Sequence, residues 1–384
     1  MSGRDDFYRE VGQLLWVGFE GTSLPAFLAK DLAAGRFGGV TLFYRNLAYS
    51  TASDKGEKLL AIDQLLDLNA SLRAAISSGQ APLFISVDQE GGRVQRVRDP
   101  ATRWPPMLGI GSLGDDATQV AEQVGAALGA ELAVIDFDIN FAPVLDINTN
   151  PDNPIIGDRA FSTEPKRAAE LALAFARGMS SADILPCGKH FPGHGDTSED
   201  SHLQLPRIDR DRQGLEAIEL LPFRRAAEVR LPILMTAHVI FSAIDDKLPA
   251  TLSPSVVGSL LRDEIGYQGL VVSDDLDMKA IAEHYGIAEA AERAILAGCD
   301  VLLLCRNRDH QLAAYEGLIH AAEKRSELRM RIGAAAKRVH HLKRDHFRSR
   351  SSTLGQPQSI LGTSAHRLLA RRIKEGLAQM NAKA

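Results

Sequence analysis

The order of apolar and polar residues divides the chain into short apolar runs separated by amphipathic segments. Eight runs are rich in β-branched residues and end in polar or glycine-containing loops, which is typical of strands. They lie at residues 13–19, 39–43, 82–88, 137–146, 184–190, 232–238, 270–275 and 300–305. Several are almost continuously apolar, as strands of a parallel sheet are when both of its faces are covered. The pattern therefore predicts eight strands in a largely parallel sheet.

The segments between these runs carry apolar residues at helical spacing, with charged residues on the opposite side. Helices are predicted at 54–76, 117–135, 164–182 and 280–298. Strands and helices that alternate in this way predict an α/β fold, a (β/α)8 TIM-type barrel. The alternative is an open doubly wound sheet, but no G-x-G-x-x-G sequence follows the first strand to favour nucleotide binding.

The C-terminal end of the chain differs in composition from the rest. Residues 346–359 are rich in Ser, Arg and Gln, as loops and linkers are, and residues 364–380 have the spacing of an amphipathic helix. We therefore expect a single barrel domain at 1–345. Residues 346–384 are expected to form a linker and a C-terminal helix that docks on the barrel, because they are too few for a second domain.

Composition is that of a soluble globular protein and disfavours several other classes. Hydrophobic residues make up 45% of the 384 and charged residues 24%, and the formal net charge of −5 gives no support for a nucleic-acid surface. No apolar run approaches transmembrane length, and the acidic N-terminus does not resemble a secretory signal. Three cysteines are too few, and odd in number, for a disulfide framework. We expect a cytoplasmic protein that binds neither nucleic acid nor membrane.

Polar residues at the ends of the predicted strands are the first candidates for chemistry, because active sites of such barrels lie at the C-terminal ends of the strands. The candidates are Asp88, Lys189, His190, His238, Ser273, Asp274 and Asp275. Lys189 and His190 stand together before a glycine-rich loop, which favours a polar site over a solvated strand end. One of Asp274 and Asp275 is expected to cap the next helix. The other is then left to face the barrel axis, where a carboxylate could attack an anomeric carbon.

The stretch KHFPGHGDTSEDSH, residues 189–202, supplies the acid–base candidates. Residues two apart in an extended loop point the same way, so Asp200 could orient His202 and stabilise its charged form. The alternatives are a solvated polar loop and a metal site built from the histidines and nearby acids. Because the spacing matches no zinc signature and Lys189 would oppose a cation, acid–base chemistry is favoured and no metal is expected. No chemical role is assigned to His194.

Three arginines have forked donors suited to hydroxyls or a carboxylate, namely Arg93, Arg96 and Arg159. Arg159 lies in NPIIGDRAF, a long polar segment after the fourth predicted strand, and is weighted towards the site. A surface or salt-bridge role is the alternative for each, and Arg93 is left out of the predicted site.

Six motifs in order resemble the bacterial single-domain β-N-acetylglucosaminidases of glycoside hydrolase family 3. They are VDQEGGRVQR (87–96), FAPVLD (141–146), GDRAF (157–161), KHFPGHGDTSEDSH (189–202), TAHV (236–239) and VVSDDLDM (271–278). The resemblance extends from about Gln13 to Asn307. One departure is GDRAF, where many members have GERSF or GERSY, and the shorter acid at position 158 puts the support of that loop in doubt.

The resemblance implies a retaining hydrolase that removes terminal β-linked GlcNAc through a covalent intermediate, without a cofactor. It implies Asp274 as the nucleophile and His202, supported by Asp200, as the acid/base. The sugar-binding residues that it implies are Asp88, Arg96, Arg159, Lys189 and His190. The family's usual role is the cytoplasmic recycling of peptidoglycan fragments.

Alternative functions stay open at this point. They are a β-glucosidase or β-xylosidase of the same family, a metal-dependent hydrolase and a non-catalytic sugar-binding barrel. The sequence does not decide between a muropeptide and a chito-oligosaccharide substrate, or between hydrolysis and phosphorolysis. A monomer acting on a small carbohydrate is expected.

Overall fold

The barrel is closed and parallel in the computed structural model, which describes residues 2–51, 58–197, 205–350 and 355–381. Its eight strands are β1 (Leu15–Val17), β2 (Gly39–Leu42), β3 (Phe84–Val87), β4 (Ile139–Asn140), β5 (Leu185–Phe191), β6 (Ile233–Thr236), β7 (Leu270–Asp275) and β8 (Val301–Leu304). Each strand pairs with its neighbours in sequence, and β1 also pairs with β8. The predicted (β/α)8 barrel is confirmed.

Helices, short two-stranded pairs and the loops between them make up the remaining described chain. The helices of at least one turn are Ser2–Gln13, Ala26–Ala33, Ile62–Ala74, Leu108–Gly111, Ala117–Ala133, Pro165–Ser181, Arg212–Ala217, Leu221–Glu228, the π-helix Pro254–Glu264, Lys279–Ala282, Ile287–Ala297, Arg308–Lys324, Ser326–Ser349, Pro357–Ile360 and Ser364–Asn381. The 3₁₀ turns are Tyr44–Asn46, Gly114–Asp116, Gly157–Arg159 and Ala250–Leu252. Two-stranded pairs join Tyr49–Thr51 to Lys58–Leu60, Gln89–Gly91 to Val94–Gln95, and Arg207–Ile208 to Ile240–Phe241.

Two predicted helices differ from the structure. In the segment predicted as a helix at 54–76, Lys58–Leu60 is a strand, because its backbone pairs with the strand that precedes it along the chain. The segment predicted at 280–298 is divided into two helices, the second at Ile287–Ala297. The second helix starts after Gly286, which has an extended backbone (ψ 138°). Apolar spacing alone did not locate either interruption.

Alternation along the strands explains why the apolar runs are almost continuous. On β1, Trp16 points into the barrel, whereas Leu15 and Val17 pack outward against the helices. Strands β3 to β8 likewise contribute apolar residues to the inner layer, such as Phe84 and Ile233. Both faces are therefore buried, and each large apolar side chain that becomes buried stabilises the fold by roughly 1.5–3 kcal/mol.

The N-terminal end of the barrel is closed by a buried lysine. Lys343, on the helix Ser326–Ser349, donates hydrogen bonds to Gln13 Oε1 (2.7 Å) and to the Gly38 carbonyl (2.6 Å). Burial lowers the pKa of Lys343 to about 7, against the opposing effect of Asp138. An uncharged amine can still donate both hydrogen bonds, so the closure survives loss of the proton.

The buried lysine predicts a pH effect on stability. Unfolded lysine has a pKa near 10.4, so between about pH 7 and pH 10 the unfolded chain binds more protons and stability rises with pH. The melting temperature of the wild type should therefore increase relative to that of Lys343→Met as pH rises through this interval. Lys337→Met, at an exposed position of the same helix, is the control. A difference between wild type and Lys343→Met that does not change with pH would contradict the expectation.

The same helix continues past the position at which composition predicted a linker. It ends at Ser349, and Asp138 is contacted both by His346 (Nε2 to Oδ1, 3.3 Å) and by Arg350 (Nη1 to Oδ1, 2.6 Å). The loop predicted from residue 346 is wrong for these first residues, because they contact a buried carboxylate at the base of the barrel. The division of the chain into two parts at that residue stays a prediction.

The C-terminal helix Ser364–Asn381 lies against the barrel domain through a close backbone contact. A Cβ atom added at Gly109 would lie 2.4 Å from the Ile373 carbonyl oxygen, and one added at Gly376 would lie 2.1 Å from the Gly109 carbonyl oxygen. His366 Nδ1 also lies 2.9 Å from Glu131 Oε1. In the part of the chain that the structure describes, no helix is long and apolar enough to cross a membrane.

Candidate active site

A cavity of about 300 Å³ lies at the C-terminal end of the barrel. The predicted site residues that line it are Asp88, Arg96, Arg159, Lys189, His190 and Asp274. They follow different strands and meet because the carboxyl ends of parallel strands share one rim. The predicted acid/base pair, Asp200 and His202, lies outside the described residues.

Lys189 is the centre of a buried ion network in this cavity. Its ammonium nitrogen is 2.8 Å from Asp88 Oδ1 and 2.6 Å from Glu90 Oε1. Burial by itself would lower the pKa of Lys189, but the two carboxylates raise it above its usual value. For Asp88, burial is likewise outweighed by Lys189 and Arg96, which lower its pKa. The network is therefore charged at neutral pH.

Glu90 joins Lys189 to Arg159 and was not among the predicted residues. Both of its carboxylate oxygens accept from the Arg159 guanidinium at 2.8 Å, in a bidentate arrangement. Burial opposes its ionisation, but Arg159 and Lys189 hold the pKa of Glu90 well below its usual range. The available sequence signal was its position two residues after Asp88, since alternate residues of an extended segment point the same way.

Arg96 lies beside Asp88, with 3.6 Å between Nη2 and Oδ2. Its backbone N–H donates to Gln89 Oε1 at 2.8 Å, which fixes the segment. Its Nε is buried and has no hydrogen-bond partner among the described residues. A donor that is buried without a partner in a polar cavity is suited to a ligand oxygen.

His190 is oriented by a second carboxylate that sequence reasoning missed. Its Nδ1 lies 2.6 Å from Asp146 Oδ2, and Asp146 also accepts from the backbone N–H groups of His190 (3.1 Å) and His194 (2.7 Å). Burial opposes ionisation of Asp146, but His190 lowers its pKa. With Nδ1 directed at Asp146, Nε2 is the nitrogen left for a ligand. Asp146 ends the FAPVLD motif and could have been identified by that position.

The two neighbouring acids of β7 have different environments. Asp275 Oδ1 accepts from the backbone N–H groups of Asp277 and Cys305, each at 3.1 Å. Burial, reinforced by Asp277, raises the pKa of Asp275 to about 7. Asp274 lines the cavity and accepts the Asp275 backbone N–H at 2.8 Å. Asp275 therefore ties two loops together, and the expected helix cap is wrong, since Met278 stands at that position.

His194 lies in the cavity wall and is held by the loop around it. Its Nδ1 is 2.8 Å from Thr197 Oγ1, and Asn153 Nδ2 donates to its carbonyl at 2.8 Å. Burial, followed by the neighbouring His190, lowers the pKa of His194 to about 4, so its ring is neutral at pH 7. These contacts fix the chain just before residue 198.

An ion pair joins the two sides of the segment that carries the predicted acid/base. Arg210 Nη2 is 2.8 Å from Asp196 Oδ2, so a residue that precedes 198–204 is held to one that follows it. Arg210 Nε also lies 3.0 Å from Glu219 Oε1, without hydrogen-bond geometry. Asp196 and Arg210, which flank residues 198–204 along the chain, are therefore held to each other.

Arg93 supports a loop and does not line the cavity. It donates to the carbonyls of Pro154 (2.8 Å) and Ile155 (2.6 Å) and lies 3.4 Å from Asp158, the acid of GDRAF. The shorter acid at 158 thus still contacts the arginine that holds this loop.

The described part of the chain contains no metal-binding cluster, and its three cysteines are free thiols. Across residues 2–51, 58–197, 205–350 and 355–381, no three His, Cys, Asp or Glu side chains are grouped so as to bind one metal ion. His202 and Asp200 do not belong to these ranges, so the hypothesis still needs an experiment. All three cysteines are buried and none forms a disulfide, as expected.

Known proteins with a similar sequence and fold identify the family of this chain. Residues 8–342 match the glycosyl hydrolase family 3 N-terminal domain. The β-hexosaminidase of Alkalilimnicola ehrlichii is 44% identical over 297 residues, which cover 76% of this chain and 80% of that protein.

Solved structures give the same result. A glycoside hydrolase family 3 β-N-acetylglucosaminidase from Paenibacillus sp. str. FPU-7 superposes with a TM-score of 0.86 at 37% identity, covering 96% of this chain and 68% of that one. NagZ from Neisseria gonorrhoeae, in complex with N-trifluoroacetyl-D-glucosamine, superposes with a TM-score of 0.75 at 31% identity, covering 94% and 97%. The resemblance of the six motifs is confirmed: the chain belongs to glycosyl hydrolase family 3 and is a glycoside hydrolase of the β-hexosaminidase type.

Proposed function

We propose that the protein is an exo-acting, retaining β-N-acetylglucosaminidase. The observation that carries the proposal is the meeting of Lys189, Asp88, Arg159 and Asp274 in one small cavity. Apolar side chains of the inner barrel layer, such as Leu303, also line it. A cavity of about 300 Å³ is at the lower end of ligand sites, which suits a single terminal sugar.

Sugar binding is assigned to the charged groups of the cavity. Lys189 has three N–H donors, and Asp88 and Glu90 account for two of them, which leaves one for a hydroxyl. The buried Nε of Arg96 and the Nε2 of His190 supply further polar contacts. Charges that are paired before the sugar enters need little reorganisation when it binds.

The chemical steps are assigned to Asp274 and to the acid/base pair predicted from the sequence. A carboxylate oxygen of Asp274 attacks C1 while the bond from C1 to the aglycone oxygen breaks, and His202 gives that oxygen a proton. His202 then takes a proton from water, whose oxygen attacks C1 and releases Asp274. Asp200 orients the histidine. The ion pair of Arg210 with Asp196 and the hydrogen bond of Asn153 to the His194 carbonyl support this assignment, because they hold residues on either side of 198–204 near the cavity wall to which His194 belongs.

The natural substrate is proposed to be a peptidoglycan fragment with a terminal GlcNAc, cleaved in the cytoplasm during cell-wall recycling. The similarity to NagZ and the small cavity support this choice. Purified anhydro-muropeptides and chito-oligosaccharides should be compared as substrates, and a clear preference for the oligosaccharides would overturn the assignment. Release of GlcNAc 1-phosphate in phosphate buffer would indicate phosphorolysis.

Activity on aryl glycosides tests the reaction class. Hydrolysis of 4-nitrophenyl β-GlcNAc should be much faster than that of the β-glucoside and β-xyloside, and the first sugar released should keep the β configuration. Preference for the glucoside would favour the β-glucosidase alternative. Activity lost with EDTA and restored by zinc would favour the metal-dependent alternative.

The acid/base assignment predicts a difference between two histidines of one motif. His202→Ala should lower kcat by about 10²–10⁴-fold, the usual contribution of general acid–base catalysis. His194→Ala should cost less turnover, because its neutral ring bonds Thr197 within the loop. A loss of kcat in His194→Ala as large as that in His202→Ala would contradict the assignment. The second measurement is the dependence of kcat on pH. The decrease of kcat on one side of the pH optimum should be absent in His202→Ala.

A further inference from the structure

An exposed tyrosine, stacked on a partly buried one, stands beside the cavity and has no part in the mechanism above. Tyr44 lies in the turn after β2 and is 44% exposed. Its ring stacks on that of Tyr49, with 5.0 Å between the centroids and 19° between the planes. Large aromatic side chains usually bury most of their surface, so an exposed ring held in a fixed stack suggests a contact with a ligand.

The pair is joined to the cavity wall at two points. Phe43 and Arg45, the neighbours of Tyr44, both line the cavity. The hydroxyl of Tyr49 donates to the carbonyl of Arg96 at 2.6 Å, and Arg96 also lines it. Tyr44 therefore stands between two residues that line the cavity, and its stacking partner is bonded to a third.

The turn that carries Tyr44 is held firmly. Asn46 is buried, accepts the Phe43 backbone N–H at 2.9 Å and donates to the carbonyls of Phe19 (3.0 Å) and Gly21 (2.9 Å). Arg45 Nε also donates to the Phe19 carbonyl, at 2.9 Å. The ring is thus presented to the rim in one position, which lowers the entropic cost of binding a ligand.

A cation accompanies the aromatic surface. The guanidinium of Arg98 lies 5.5 Å from the centroid of the Tyr44 ring, and its Nε donates to the Gln95 carbonyl at 3.2 Å. Its remaining N–H groups can donate to oxygens of a ligand that lies on the ring. Aromatic surface combined with hydrogen-bond donors suits a pyranose, which has an apolar C–H face and hydroxyls around its edge.

We propose that Tyr44, stacked on Tyr49 and flanked by Arg98, binds the second sugar of the substrate, the pyranose ring on the leaving side of the scissile bond. This assignment rests on the proposed function and adds a site for the aglycone. It makes the enzyme select substrates in which another sugar follows the terminal GlcNAc.

The test compares two substrates with alkyl leaving groups, N,N′-diacetylchitobiose and methyl β-N-acetylglucosaminide. Only the first has an aglycone ring, and neither has the aryl group that could itself stack. Tyr44→Ala should lower kcat/KM for the disaccharide about fivefold to tenfold, the scale of an aromatic contact, and leave the methyl glycoside within about twofold. Tyr44→Phe and Tyr44→Trp keep an aromatic ring at this position and should retain the wild-type preference for the disaccharide over the methyl glycoside.

Phe27→Ala is the matched control. Phe27 is also an exposed aromatic beside an arginine, with the Arg308 guanidinium 4.8 Å from its centroid, but neither Phe27 nor its chain neighbours line the active-site cavity, whereas both neighbours of Tyr44 do. This variant should treat both substrates as the wild type does. Equal losses on both substrates in Tyr44→Ala, or no loss on either, would overturn the proposal.

Binding without turnover separates this proposal from the proposed function. The thio-linked disaccharide should bind Tyr44→Ala more weakly than the wild type in calorimetry, whereas GlcNAc should bind both equally. If the wild type hydrolysed no β-N-acetylglucosaminide but showed this binding pattern, the proposed function would fail and the site would stand. Unchanged binding of the thio-linked disaccharide would overturn the site.

Discussion

Replacing Asp274 by Ala should lower kcat on 4-nitrophenyl β-GlcNAc by at least about 10⁴-fold, the scale seen when the group that forms the covalent bond is removed. Asp274 lines the cavity, in which Lys189 and Arg159 also lie, so its carboxylate is placed to meet C1 of a bound sugar. Asp275 also lines the cavity, but its Oδ1 accepts two loop amides, so its carboxylate is tied to the loops and we do not expect it to replace Asp274. The measurement is steady-state kinetics, with circular dichroism to confirm folding.

Asp275→Asn is the control for this prediction. Asparagine has the shape of the protonated acid, and a pKa of about 7 means that Asp275 is partly protonated at neutral pH, so the variant should fold and keep most of its activity. A 5-fluoro glycoside should label Asp274 in the wild type and be found on that residue after proteolysis and mass spectrometry. A label on Asp275, or turnover that survives Asp274→Ala, would reject the assignment.

Glu90→Gln should lower the free energy of unfolding by about 3–5 kcal/mol, as expected when one partner of a buried ion network is removed. The variant leaves the Arg159 guanidinium without its bidentate carboxylate and takes one of two carboxylates from Lys189. Because both cations are then displaced or unpaired in the sugar-binding cavity, KM for the aryl glycoside should rise as well. Chemical denaturation and steady-state kinetics measure the two effects.

An exposed pair provides the comparison for Glu90. Glu170 lies 3.0 Å from Arg167 on the helix Pro165–Ser181, and its side chain is half exposed. Exposed ion pairs contribute about 0–1 kcal/mol, so Glu170→Gln should change stability by no more than this and leave KM unchanged. Similar losses in the two variants would show that burial of the network is not what makes Glu90 important.

The pH dependence of the Glu90 effect has a defined sign. The pKa of Glu90 is held well below its usual value, so the stability that it contributes is present above the unfolded pKa near 4.3 and lost as pH falls through the folded pKa. The pKa of Lys189 is raised, so its contribution is present below about 10.4 and lost only at higher pH. The difference between wild type and Glu90→Gln should therefore be constant from about pH 5 to pH 9.

The sequence predicted the barrel because strands buried on both faces produce long apolar runs that differ clearly from the amphipathic helices. It did not predict the strand Lys58–Leu60 or the break before Ile287, because backbone pairing with Tyr49–Thr51 decides the first and one extended glycine the second. Local spacing contains little information on either. The continuation of helix Ser326–Ser349 was missed for a similar reason, since contacts with Asp138 override a composition typical of loops.

The candidate site was predicted largely through residues near strand ends, and the structure brings Asp88, Arg96, Arg159, Lys189, His190 and Asp274 into one cavity. Two other candidates do not line it: the His238 ring contacts Thr251 and the Asp275 carbonyl, and the Ser273 hydroxyl accepts the Leu303 backbone N–H. Glu90 and Asp146 were missed because each acts through another side chain, and a sequence does not show which carboxylate lies beneath which cation. Their spacing gave a partial signal, since Glu90 is two residues from Asp88 and Asp146 ends a predicted strand. The different environments of Asp274 and Asp275 depend on loop amides that only the folded chain supplies.

Closure of the barrel base by the helix Ser326–Ser349 also affects how the chain can be made. The ribosome releases all eight strands before this helix, so a nascent barrel has Gln13, the Gly38 carbonyl and Asp138 at its base without their later partners. These three polar groups are shielded from water completely only after residue 350 has left the ribosome. A stop codon after residue 345 would retain Lys343 but remove the contacts of Asp138 with His346 and Arg350. A chain that ends at residue 345 would therefore form a barrel whose base lacks the contacts of Asp138 with His346 and Arg350.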